Sequence, residues 1–574
     1  MFHRSVRYGF AGFFTVMLNT TVDGMIIGRF LGLKAMAAFG LIIPLYSLIN
    51  LIPVLLRSAS QLNIGADLGR GELETARRRI FQMLMTGLVA AVPFILLFTV
   101  FRGSVVSVLC SFSSHAEDTT RMAEDYLLWL APAMIPTMMT PVLHPVMQLD
   151  GDALRSPFAI QVATVVNILG DVLNAQVFHG GMAGMALATV FSCYAELLVL
   201  LLHYAIKTSL LKPSPGFGFQ KEWARALSNG VPVMIHEFTV FISGIIINYF
   251  AFQLAGDDLV AAVAVGNSIF AFLLPGSLAT SGAVMTLGSV SRGEADQKSG
   301  RIILLMGIWY ALIPCSVYAL IFAAFSGPIA GFFSGGDEQL LHMAFAVIRG
   351  FAVSLPLVAL CQVVESQLNV IGKKGLATII GMLEGGIAWV VFVCLLGMAD
   401  PVSRIWGAHL IGELTLVLII TCFLVPYMVK ERKRLQDNEG ESPAELEATI
   451  CSTEEATAFS ESLHNFCLNN SISHKLSLAA ALCAEEVACN TIIWGYRGGS
   501  DCTVDIRAVC EDGKIILRFR DTGRRFDPKN YISNVLVHNN DPAKNMGLKI
   551  LSGFATEMQY MCIVDCNVLL IHVK

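Results

Sequence analysis

Acidic and amide side chains stand at a few places where the surrounding residues are apolar, and those places are where chemistry can be sought. Asp23 interrupts the run TTVDGMIIGRFLG. An ionisable group inside an apolar helix costs several kcal/mol unless it has a task or a partner. Asn167 and Asp171 in VNILGD are four residues apart, so they share one helical face. An amide and a carboxylate placed that way can hold a proton or a cation between them. Glu237 in PVMIHEFTVF and Glu365 in CQVVESQ are further acidic candidates of the same kind. His236, beside Glu237, reads as a hydrogen-bonding group at a helix interface rather than as a ligand, and Arg57 as a snorkelling or paired cation. A different chemistry is suggested near the C-terminus. Glu486 and Asn490 are four apart in LAAALCAEEVACNTIIWGY, an arrangement that can hold magnesium and a water. Asp521 and Gly523 in RFRDTGRRFDP follow a strand pattern, and Gly547 in NMGLKIL opens a helical one, where backbone can approach a phosphate.

The elements that must position these groups are mostly membrane helices. Hydrophobic side chains make up 55% of the 574 residues, charged ones 14%, and the mean hydropathy is +0.64. Soluble domains carry roughly 25% charge. The net charge of −5 supplies no clustered positive field, so no nucleic-acid partner is expected. Apolar runs long enough to cross roughly 30 Å of hydrocarbon lie near 8–29, 36–62, 81–101, 124–148, 157–177 and 183–206, and again near 231–254, 260–290, 301–325, 341–369, 376–397 and 403–428. The first of these is read as a retained span, because no small-residue cleavage site follows it and Asp23 breaks it. Arginine and lysine gather in alternate loops, from Arg70, Arg77, Arg78 and Arg79 through Arg292, Lys298 and Arg301 to Lys430, Arg432, Lys433 and Arg434. That asymmetry places those loops and both termini in the cytoplasm of a multi-pass inner-membrane protein. The 14 cysteines have no spacing typical of a zinc site and read as small apolar fillers or reduced thiols.

The chain also repeats itself. Gly71-Glu72 through Arg79-Ile80 matches Gly293-Glu294 through Arg301-Ile302, and the offset of about 220 residues holds for Pro136 and Pro356, Gly151 and Gly372, and Gly184 and Gly407. Two six-helix bundles of the same topology follow, at 1–212 and 213–430. Repeats of this type bind cargo between the halves and alternate between two openings. A polar, acidic linker is assigned to 431–447. Residues 448–574 alternate helical and strand signals, with helices near 453–469 and 474–493, strands near 502–509 and 513–520, a helix near 545–555 and two final strands. The fold class is therefore an all-α polytopic membrane protein of twelve transmembrane helices plus a C-terminal α/β sandwich.

VDGMIIGRFLG, AAFG, LGRGELETARRR and N-x-x-x-D followed by GGMAGMALAT, in that order, resemble the multidrug and toxin extrusion family over residues 1 to about 430. The resemblance implies a secondary transporter that exports small organic, cationic or amphipathic molecules in exchange for H+ or Na+. It implies that Asp23, Asn167 and Asp171 carry the coupling ion, with Glu237 resembling a position used for cations or substrates in one branch of the family. Glu365 does not fall cleanly on the family's acidic position. The set E-x-x-x-N, D-x-G-x-x-F-D and G-L-x-I resembles the ATP-binding domain shared by gyrase, Hsp90 and histidine kinases, the Bergerat-type ATPase fold, most nearly its anti-sigma-factor serine kinase subgroup. By that resemblance Asn490 binds Mg2+, Glu486 orients or activates the attacking group, Asp521 accepts the adenine amino group, and Gly523 and Gly547 border ATP. A regulatory protein partner for that domain is implied as well. Asn545 and Trp494 depart from the pattern, standing where glycine and histidine are common. ATP is not expected to drive transport, since no Walker-type phosphate loop is present. Two alternatives stay open: a membrane-anchored ligand sensor or serine-kinase regulator, and a lipid-precursor flippase, although intramembrane acids suit cationic cargo better than anionic headgroups.

Overall fold

The computed structural model describes residues 1–110, 117–205, 209–216, 221–334, 337–397, 400–430, 444–496, 502–511, 513–525, 527–528, 553 and 555–573. The chain divides into two compact units, one holding nearly all residues up to 424 and the other nearly all residues from 425.

The first unit is all helix. Its long apolar helices are α1 (Phe2–Leu31), α2 (Lys34–Gly69), α3 (Leu73–Thr99), α4 (Asp118–Leu149), α5 (Arg155–Phe178) and α6 (Gly181–Ala205). They are followed by a continuous 63-residue segment, Val231–Gly293. At about 1.5 Å per residue that segment would be about 95 Å long, some three times the hydrocarbon thickness. It does not run straight: Ala255 and Gly256 leave helical geometry, and Gly256 takes a φ of 67°. The break divides it into α7 (231–254) and α8 (257–293), as the two apolar runs predict. The unit is completed by α9 (Gln297–Ala324), α10 (Glu338–Val370), α11 (Lys374–Leu395) and α12 (Pro401–Lys430). Aspartates cap several of these helices: Asp296 accepts from the Ser299 amide, Asp337 from Gln339 and Leu340, and Asp400 from Ser403 with Pro401 in the first turn. Large apolar side chains such as Phe191 and Leu320 point outward, as they do where the solvent is lipid.

The two six-helix halves meet along α2 and α8. A Cβ at Gly69 would overlap the Val290 carbonyl, and one at Gly293 would overlap the Ala66 carbonyl, so only glycine permits this crossing. Gln61 donates to Thr286 Oγ1 at 3.1 Å, and Ser289 Oγ to the Gln61 carbonyl at 3.0 Å. Small residues and side-chain hydrogen bonds are what hold helices together in lipid, where hydrophobic burial gives no net attraction between them.

The second unit carries a five-stranded antiparallel sheet, β1 (Ala444–Ile450), β2 (Val504–Glu511), β3 (Lys514–Asp521), β4 (Ala555–Ile563) and β5 (Cys566–Val573), in the order β1-β2-β3-β5-β4. Two helices, α13 (Thr453–Asn469) and α14 (His474–Asn490), pack on it. Phe459, Leu463 and Val487 from the helices and Ile506, Leu517, Phe519 and Ile571 from alternate strand positions make the core. A helix in this unit, His474–Gly495, is apolar enough to cross a membrane, but its apolar face is spent on this sheet. Strand β1 was not expected. It begins inside the stretch assigned to the linker, and its full pairing with β2 moves the domain's start to Ala444. The helix expected near 545–555 lies largely outside the described residues.

Candidate functional site

Three polar clusters stand out. In the first half, α1 brings Asn19 and Asp23 to one face and α5 brings Asn167 and Asp171, each pair one helical turn apart. Asn19 Nδ2 donates to Asp23 Oδ2 at 3.2 Å and to the Asn167 side chain at 2.9 Å. With its amide turned, Asn167 instead donates to Asp23 Oδ1 at 2.8 Å and no longer accepts from Asn19 Nδ2. Asn167 and Asp171 are each 1% exposed. Asp171 stands within charge and hydrogen-bond range of Asp23, a contact that needs a proton between the two carboxyls, and among the described residues its oxygens have no other hydrogen-bond partner. The Tyr46 and Tyr126 hydroxyls, 3.0 Å apart, lie within electrostatic reach of Asp23. Both helices end in a π-turn, Ile27–Leu31 after Asp23 and Asn174–Phe178 after Asp171. Such turns are frequent at functional sites. The three residues singled out in this half are thus brought together, and Asn19 joins them. Its signal was available, since it precedes Asp23 by four residues.

The second half has its own cluster. His236 on α7 faces Glu365 Oε2 on α10 at 2.8 Å through Nδ1, and Glu384 Oε2 on α11 at 3.0 Å through Nε2. Gln362 donates to Glu384 Oε1 at 3.1 Å and accepts from Ser277 at 2.6 Å. Gly386, with a φ of 119° and no room for a Cβ beside Ser243, lets α11 lie against α7. Glu365 is buried, and Glu237, half-buried, lies within electrostatic reach of His236 and Glu384. Glu384 and the buried Glu413 were missed, although both interrupt apolar runs as plainly as Asp23 does. Arg57 does not snorkel; it lies over the Phe13 ring at 4.7 Å, between the halves.

The third cluster is in the sheet domain. Asn490 Nδ2 donates to Glu486 Oε1 at 2.7 Å, while the neighbouring Glu485 is turned away, accepting from Thr457 and Ser460 on α13. At the end of β3, Asp521 Oδ1 accepts from the Gly523 amide at 2.8 Å and from Asn567 Nδ2 at 2.7 Å. Tyr560 holds Asn567 in turn, at 2.6 Å. The Arg524 amide donates to the Gly495 carbonyl at 3.0 Å, which ties the loop after β3 to the turn after α14 and brings the two motifs to one edge. Burial raises the Asp521 carboxyl above the ordinary aspartate value, opposed by the bonds from Asn567 and Gly523. Both of those bonds fall on Oδ1, which leaves Oδ2 as the carboxylate oxygen that could accept from a ligand, and the carboxylate and amide of Glu486 and Asn490 are a donor set that could hold Mg2+. Gly547 lies outside the described residues.

The MatE family model matches residues 10–173 and 232–393, more than half of the chain and both of its halves. The chain belongs to the MATE family. Within this MATE protein, a histidine kinase-like ATPase domain matches residues 452–571. The Bacillus subtilis "Probable multidrug resistance protein YoeA" is 24% identical over 63% of this chain and 79% of its own length. Human "Multidrug and toxin extrusion protein 1" is 22% identical over 44% of this chain and 47% of its own length. The outward-facing structure of a multidrug resistance MATE family transporter superposes with a TM-score of 0.68 at 17% identity, over 73% of this chain and 93% of that one. The shared fold is that of the helical unit.

Proposed function

We propose that this MATE protein is a cation-coupled antiporter of the cell membrane, exporting small organic cations or amphipathic molecules, and that its ATPase domain binds ATP with Mg2+ and regulates it. The observation that carries the reading is Asp171: a carboxyl 1% exposed, whose oxygens have no hydrogen-bond partner among the described residues other than the Asp23 carboxyl beside it, and that contact needs a proton. Two carboxylates held that way cannot both stay charged in a dry bundle, so the pair takes up a proton or a sodium ion. Taking up the ion removes the demand for water around the pair and lets α1 and α5 repack; losing it restores the demand. That difference is what a transporter built of two halves needs in order to favour one opening over the other. Asn19 and Asn167 orient the Asp23 carboxylate, and the names of the relatives support organic, drug-like cargo. Glu237 and Glu365 are assigned to ion coupling in the second half. The basic loops support cytoplasmic termini. In proteoliposomes under an imposed proton or sodium gradient, Asp23→Asn is expected to lower gradient-driven dye efflux at least about tenfold; efflux equal to that of the parent overturns the coupling role.

A further inference from the structure

Four helices of the second half bring more negative charge to one buried spot than its hydrogen bonds account for. Glu365 on α10 is 5% exposed and keeps Oε1 without a partner among the described residues. Glu413 on α12 is 3% exposed and likewise keeps Oε2 without one, within electrostatic reach of Glu384 and His236. Glu384 on α11 completes the set, with Glu237 nearby. Against these carboxylates stand two imidazoles, His236 and the buried His409, which lies one helical turn before Glu413 and within electrostatic reach of Glu384. Even with both imidazoles protonated, Glu365, Glu384, Glu413 and the nearby Glu237 outnumber them, and no lysine or arginine pairs with them among the described residues. A buried excess of that size is neutralised by protons or by a cation.

The donor types say which cation. One ligand atom each from His236, Glu365 and Glu384 lie within 4.8 Å of one another. The Cys361 thiol, fully buried, lies against the Glu413 carboxylate, one helical turn before Glu365 on the same helix. Imidazole nitrogen, two carboxylates and a nearby sulfur are a set that a divalent transition metal favours, whereas alkali ions, Ca2+ and Mg2+ prefer oxygen alone. Ligand atoms around a tetrahedral ion stand about 3.4 Å apart, so the three groups must close from within 4.8 Å and one glutamate must swing to the ring nitrogen that the ion takes. We propose that His236, Glu365 and Glu384 form a binding site for one divalent transition-metal ion, of the Zn2+ or Mn2+ class, with Glu413 and Cys361 as its outer shell. This assigns His236 a ligand's role beyond the interface hydrogen bond. The bridge of His236 between two carboxylates is the metal-free arrangement. The metal takes one ring nitrogen and one oxygen from each glutamate, and the bridging proton leaves to solvent, so uptake releases protons.

The inference goes beyond the ion-coupling reading by giving Glu365 to the metal in place of H+ or Na+, and it is tested without any gradient. Full-length, tag-free protein, stripped with a chelator and placed in lipid nanodiscs, is titrated with Mn2+ in an electron paramagnetic resonance experiment and with Zn2+ by calorimetry in weak buffer. One ion per chain is expected, with proton release, a hyperfine coupling to imidazole nitrogen on bound Mn2+, and no displacement by excess Na+. Glu384→Gln and His236→Gln each weaken binding at least about tenfold, while Asp23→Asn, in the other half, does not. The nitrogen coupling needs no variant, so it decides the matter even where a substitution disturbs folding. Absence of binding, binding without the nitrogen coupling, or displacement by Na+ overturns the proposal. A negative result leaves Asp23-dependent efflux standing, and a loss of that efflux leaves metal binding standing.

Discussion

Asn567 shows how much a single amide can decide. It reaches from β5 to Asp521 and holds Oδ1 of that carboxylate, with Tyr560 behind it, so that on the proposed reading Oδ2 is the oxygen turned to an adenine ring. Removing it by Asn567→Ala is expected to weaken binding of a labelled ATP analogue by about tenfold, the worth of one charge-assisted hydrogen bond. The same carboxylate sets a pH dependence. On the proposed reading Asp521 accepts from adenine, which it can do only when ionised, and burial raises its folded value above that of an ordinary aspartate. The proton-bound form is therefore the one favoured by burial: its contribution to domain stability is full at low pH and lost as pH rises through the raised value. Nucleotide affinity runs the other way, falling on acidification at a higher pH than a solvated aspartate would give. A titration of analogue binding against pH checks this; a curve identical to that of Asp521→Asn would contradict it. Asp23, Asn167 and Asp171 were legible from sequence because polarity inside an apolar run is costly wherever it occurs. The same rule would have found Glu384 and Glu413. Which of these groups touch was not legible, because contacts such as Asn19 with Asn167 join residues 148 apart.

At the scale of elements, α2 and α8 owe their contact to missing side chains. Gly69 and Gly293 let two backbones approach until Ser289 can donate to the Gln61 carbonyl. A bulky residue there must part the halves at this end, because the atoms it meets are backbone. Ser289 is 1% exposed, so a cysteine placed there is shielded in the parent. Gly69→Leu combined with Ser289→Cys is expected to expose it to a membrane-impermeant maleimide, read by mass spectrometry of the peptide that carries residue 289; labelling as low as in Ser289→Cys alone would mean that the contact is not what closes this end. Most helices were visible as apolar runs, since crossing hydrocarbon demands length and nothing else. The 63-residue segment needed the structure to place its break, though two runs flanking Asp257 and Asp258 had announced it. Strand β1 was hidden by composition. AELEATI begins inside the acidic stretch read as linker, and only its alternation of Leu446, Ala448 and Ile450 with polar residues marks a strand.

At the scale of the molecule, an internal repeat and an appended ATPase domain divide the work. The repeat was readable because Gly-Glu and Arg-Ile pairs recur in corresponding loops, and twelve spans follow once the long segment is broken. The two halves are not chemically equal, however. The first carries a carboxylate pair with amides, and the second carries glutamates gathered around a histidine. On the proposed reading the histidine kinase-like ATPase domain controls the bundle rather than propelling it, since the buried acids would give an imposed ion gradient something to act on. The most direct test is uphill transport by the full-length protein in proteoliposomes free of nucleotide. With an inward-directed proton or sodium gradient imposed in turn, a fluorescent organic cation is expected to move against its own concentration difference, and to stop when the gradient is collapsed by an ionophore. Movement that needs ATP and persists without either gradient would contradict the account.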